Sequence, residues 1–72
     1  MATVRVIRSN LQISEDDLAA ALMHAADLDA DEAFGLVRCV AEAPTAIDVP
    51  RELAHRIAAA LERCGHEVAV DP

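Results

Sequence analysis

The chain has almost no aromatic side chains and no lysine. Phe34 is the sole aromatic among 72 residues, with no Trp and no Tyr. A core cannot be assembled around large rings and must be filled by Val, Ile, Leu and the sixteen Ala. All six basic residues are Arg, against thirteen Asp and Glu, for a net charge of −7. Nucleic-acid binding requires clustered Lys and Arg to displace counterions from phosphate, so no nucleic-acid partner is expected. No apolar run is long enough to cross a bilayer and none resembles a leader, which predicts a cytoplasmic chain without membrane contact. The two cysteines, Cys39 and Cys64, have no CxxC spacing and read as reduced, buried thiols.

What remains is ample for one small domain over residues 1–72. Apolar residues make up 54% of the chain. At this size folding removes only ~60% of the unfolded chain's surface from water. Stability near the low end of the ordinary range, ~5 kcal/mol, is therefore expected.

The pattern along the chain is legible. Val4 and Val6 alternate with Arg5 between Thr3 and Arg8, which is the period of a strand with one buried face. Ser14 then offers a helix cap for the backbone N–H of Asp17, with Asp17 as the answering acid of a capping box and Ile13 stapled to Leu18. A helix from about 15 to 27 follows. Asp29 caps a second helix, with Asp31 and Glu32 in its first turn, where acids favour the positive end of the dipole. From Ala33 to Ala43 this helix is apolar on more than one face, the mark of a helix wrapped by neighbours. It is read as the central helix.

Pro44 stops that helix, and Thr45 to Val49 is a short strand with Ile47 inward. Pro50 suits the first turn of a third helix. Leu53, Ile57, Ala60, Leu61 and Cys64 form its apolar stripe, and Glu52 is placed to pair with Arg56 on the wet side. Gly65 closes it in the left-handed position, and Glu67 to Asp71 alternates again with Val68 and Val70 inward. The reading is an α+β fold, β-α-α-β-α-β, a three-stranded sheet with three helices on one face. Its expected core is Val4, Val6, Leu18, Leu22, Phe34, Val37, Val40, Ile57, Leu61, Val68 and Val70.

Two stretches carry a resemblance. Val40-Ala-Glu-Ala-Pro44, then Ala54, and Leu61-Glu-Arg-Cys-Gly65-His-Glu-Val-Ala-Val70 resemble the C-terminal domain of the bacterial ribosomal stalk protein. The likeness covers about the last thirty residues and implies the same fold and a protein-binding role without catalysis. The basic, glycine-bearing hairpin of that family is replaced here by Leu28-Asp29-Ala30-Asp31, so no partner-binding residue carries over. The spacing from Val6-Ile7 to Asp31-Glu32-Ala33, with Arg51-Glu52-Leu53-Ala54 and Gly65-His66, also resembles the N-degron adaptor of the Clp protease. The pocket of that family depends on an Asn-Asp pair after the first strand and a His on the second helix, where this chain has Ser9-Asn10 and Ala41. Asn10 is the one matching polar group, and that pocket is not expected here.

Among side chains with chemistry, seven acids stand out. Glu15, Asp16, Asp17, Asp27, Asp29, Asp31 and Glu32 fall between Arg8 and Arg38 with no Lys or Arg among them. They read either as dipole compensation and solubility or as an acidic docking face for a basic segment of a protein partner. They lack the glycine-bearing loop of a calcium site. Cys64-Gly65-His66 with Cys39 matches no zinc signature, and sequence neighbours such as Cys64 and His66 rarely have activating geometry. His24 and His55 read as surface residues on helices. Ser9 and Ser14 lack the Asp-Ser-Leu context of a carrier protein's prosthetic-group site. The expectation is a non-catalytic interaction or adaptor module with no catalytic residue, cofactor or metal. The alternatives are a Clp-type adaptor, a regulatory subunit of a separate enzyme, and a carrier protein.

Overall fold

Alternation at period two and helix caps at the expected places build six elements in the computed structural model, which describes residues 1–71. They are β1 (Ala2–Arg8), α1 (Glu15–Ala26), α2 (Ala30–Ala41), β2 (Thr45–Val49), α3 (Arg51–Arg63) and β3 (Glu67–Asp71). The sheet is antiparallel throughout, in the order β2-β1-β3. Val4 lies opposite Ile47 on one side and Val70 on the other, and Val6 opposite Thr45 and Val68. These side chains share one face with Ala2 and Val49, and the three helices cover it. The other face carries Thr3, Arg5, Ala46, Asp48 and Asp71. There Arg5 Nε meets Asp71 Oδ2 at 2.7 Å, and the Thr3 hydroxyl donates to Asp48 Oδ1 at 2.8 Å. Exposed pairs of this kind contribute at most ~1 kcal/mol. The expected Glu52–Arg56 pair does not form among the described residues.

Local chemistry sets the helix ends. The Ser14 hydroxyl accepts from the Asp17 N–H at 3.1 Å. Asp17 does not return the bond, and the reciprocal capping box forms one helix later. There Asp29 Oδ1 accepts from Glu32 N–H at 2.8 Å, and Glu32 Oε1 accepts from Asp29 N–H at 3.3 Å. α2 therefore begins at Ala30, one turn earlier than its apolar run. Pro50 sits one position outside α3, as its cap residue with φ −55°. It has no side-chain donor or acceptor to offer, and its carbonyl accepts from Leu53 N–H at 2.9 Å. α3 ends in the paired bonds of a Schellman motif, His66 N–H to Leu61 C=O and Gly65 N–H to Glu62 C=O, both 3.0 Å. Gly65, at φ +90°, holds the left-handed position.

Packing departs from the sequence reading in which helix lies innermost. α1 touches both other helices, whereas α2 and α3 scarcely meet. α2 is therefore a flank. Only Ala33, Val37 and Val40 of it are buried, while Phe34, Gly35, Leu36 and Cys39 stay half-buried. Phe34 is thus a border residue of the core, as are Val68 and Val70 on the edge strand β3. The centre is held by Leu22, Ile57, Leu61, Val4, Val6 and Val40. Ala19, Ala26, Ala33, Ala54, Ala58 and Ala60 are also buried, which lets the helices sit close without aromatic filler.

Candidate functional site

The loop after β1 is held by one asparagine and one histidine. Asn10 donates its backbone N–H to His66 Nδ1 at 2.8 Å and its side-chain Nδ2 to the Cys64 carbonyl at 2.9 Å. Its Oδ1 accepts from Gln12 N–H at 3.1 Å. The loop is thereby latched to the turn that follows α3. His66 is 5% exposed, the one buried polar side chain among the described residues. Because Nδ1 accepts, the neutral ring carries its proton on Nε2. That Nε2 is buried and has no hydrogen-bond partner.

Beside this latch lies a cavity of about 290 Å³. Ser9, Asn10, Leu11 and Ile13 of the loop form one side, Leu18 of α1 and Val37, Val40 and Ala41 of α2 the other, and His66 closes it. Leu11 is 81% exposed at its lip. Glu15 lines the rim, next to Asp16 and Asp17. The cavity is thus an apolar space with one buried donor and an acidic border. It is just below the ~300–1,000 Å³ of small-molecule pockets. Sequence reasoning singled out Asn10, and weighed His66 only beside Cys64 and within the adaptor resemblance without joining it to Asn10. The signal for His66 was its place directly after the glycine cap, the position that turns back against the last helical turn.

Burial holds the His66 imidazole below its ordinary value. A group whose folded-state pKa is depressed binds more protons in the unfolded chain just below about pH 6.5. Its stabilising contribution is complete above that pH and is lost as pH falls towards the folded-state pKa. Protonation would also remove the acceptor for Asn10 N–H. The urea midpoint is therefore expected to drop between pH 7.5 and 5.5, and to drop less in His66→Asn, whose amide oxygen replaces the Nδ1 acceptor without titrating. An equal drop in both proteins would show that other groups carry the pH dependence.

The seven acids do not form one face. α1 is 12 residues long, about 18 Å at 1.5 Å per residue. Glu15, Asp16 and Asp17 stand at its start beside the cavity, and Asp27, Asp29, Asp31 and Glu32 stand at its other end. Asp27 also has a backbone duty, as the left-handed residue that ends α1 at φ 53°. Near this second cluster α2 and α3 part, leaving a groove of about 440 Å³. Leu28, Leu36 and Cys39 form one side and Leu53 and Ile57 the other, with Glu32 at its edge.

Other candidates do not converge. Cys39 and Cys64 are free and half-buried, and His24 and His55 are exposed. No group of three His, Cys, Asp or Glu among the described residues is placed to hold a metal ion. No helix among them is long and apolar enough to cross a membrane. Compared with known proteins, the chain matches no family model, no curated protein and no solved structure.

Proposed function

We propose that this chain is a small, non-catalytic protein-interaction module that receives an apolar side chain of a partner polypeptide in the cavity under the β1–α1 loop. The observation that carries the reading is an open apolar cavity walled by the loop that Asn10 latches to His66. An apolar side chain of a peptide would fill that space. Glu15 with Asp16 and Asp17 beside it disfavours an acidic ligand and favours a segment bearing an amino or guanidinium group. The resemblance of about the last thirty residues to a protein-binding family, the stalk-protein C-terminal domain, supports the same reading.

A narrower version is a Clp-type adaptor, favoured by one specific observation. Ser9, Asn10 and Ala41, the positions that the second resemblance marks as pocket walls, all line this cavity. The test is a titration of ¹⁵N-labelled protein with short peptides carrying Leu, Phe or Arg at the N-terminus. Saturable shifts at Asn10, Leu18 and His66 are expected with Leu or Phe. Ala41→Trp, at an exposed position on the cavity wall, should weaken binding about tenfold or more. Peptides that leave these resonances unmoved would remove the proposal. Equal binding of internal and N-terminal Leu would keep the module and remove the Clp-type version.

A further inference from the structure

The groove between α2 and α3 is separate from the His66 cavity and shares no lining residue with it. Its first feature is the surplus apolarity of α2. The buried side of that helix is complete with Ala33, Val37 and Val40, yet Leu36 and Cys39 are also apolar and line the groove half-covered. Its second feature is Gly35. A glycine inside a helix destabilises it by ~1 kcal/mol relative to alanine. A Cβ built there would meet nothing within 4 Å. No neighbour in the chain requires glycine at this position, although Gly35 lines the groove. What the missing side chain does provide is room for another backbone to come close to α2.

The border identifies the visitor. Glu32 stands at the edge and no Lys or Arg lines the groove. Asp29 and Asp31, both exposed, continue the acidic border along the start of α2. A second copy of this chain would bring its own net charge of −7 to this surface. A basic partner is drawn by the same field that repels a copy. Two helices parting over a sheet edge leave a trough for a third rod, the geometry in which an amphipathic helix lays an i, i+3, i+4, i+7 stripe into a groove.

We infer that the α2–α3 groove binds an amphipathic helix of a partner protein, with its apolar stripe against Gly35, Leu36 and Leu53 and bordering Lys or Arg side chains facing Glu32 and Asp31. This surface is independent of the His66 cavity, so a chain with both occupied joins two partners, as an adaptor does.

The probe is a short helical peptide with leucines along one stripe and lysines along its borders, compared with the same peptide bordered by glutamates. Titrated into ¹⁵N-labelled protein, the lysine form should give saturable shifts centred on Gly35, Leu36, Cys39 and Leu53. Its affinity should fall as salt shortens the Debye length from ~10 Å at 0.1 M. The glutamate form should not bind. Gly35→Leu should weaken binding at least tenfold. Gly35→Ala should weaken it less while raising the melting temperature by a few degrees, because the helix gains a better former with no clash. Asp29→Asn with Asp31→Asn should reduce the salt dependence. Ala41→Trp, which blocks only the other cavity, should leave this binding unchanged. Absent binding, shifts centred on the His66 cavity or on β2 alone, or full affinity in Gly35→Leu would overturn the inference. So would a dimer in sedimentation that Gly35→Leu dissociates, since the occupant would then be a second copy.

Discussion

Leu61→Ala is expected to cost ~2–5 kcal/mol, a large share of the domain's stability, and to lower its urea midpoint accordingly. Leu61 is 0% exposed on α3. Large-to-small changes at such positions lose both transfer free energy and the contacts around the cavity left behind. The effect rivals the whole stability of a domain at the low end of the ordinary range, ~5 kcal/mol. With no Trp or Tyr in the chain, the transition is best followed by far-ultraviolet circular dichroism under urea. Phe34→Ala is the informative comparison. A fully buried Phe truncated to Ala costs ~3–5 kcal/mol, and the half-buried Phe34 should cost about half of that. A larger loss in Phe34→Ala than in Leu61→Ala would reverse the assignment of α2 to the flank.

Gly65→Ala should be the most damaging substitution outside the core, at roughly 2–4 kcal/mol. An L-residue forced into the left-handed region costs ~1–2 kcal/mol. The added Cβ would also lie 2.7 Å from Asn10 Nδ2. Asn10 would have to leave, breaking its bond to the Cys64 carbonyl and loosening the one from its N–H to His66. Each such bond contributes ~0.5–1.5 kcal/mol net. The two causes separate in a double-mutant cycle. Asn10→Ala already forfeits the side-chain bond and clears the space, so the pair of changes should cost less than the sum of the single ones. Strict additivity would mean that Gly65 serves only the helix end and has no part in holding the loop. Because that loop forms one wall of the cavity, Gly65→Ala should also broaden the amide resonances of residues 9 to 13.

The two proposed binding surfaces should respond to different variants, and this separates their failures. Ala41→Trp acts on the His66 cavity, and Gly35→Leu acts on the α2–α3 groove. Neither change touches the residues that fill the core, so loss of one interaction with the other intact is readable as loss of a surface and not of the fold.

Sequence by itself determined the elements, their order and most of their ends. Ser14, Asp29, Pro44 and Gly65 act on backbone groups within a few residues of themselves, so their effect is written locally. The period-two runs around Val4 and Val68 likewise decide which side chains share a sheet face. The same locality explains the misreadings. An apolar excess on α2 is what a central helix needs, and it is equally what a flanking helix with an open groove shows. Only the placement of α1 against both neighbours distinguishes them. Seven acids within eighteen positions read as one patch until α1 separates them by its length. His66 becomes buried because Asn10, 56 positions away, returns to its ring, a meeting that no local pattern announces. Which apolar surfaces remain uncovered, and which polar atom is left without a partner, are results of long-range packing. In this chain those results, more than the motifs, define the cavity under the β1–α1 loop and the groove between α2 and α3.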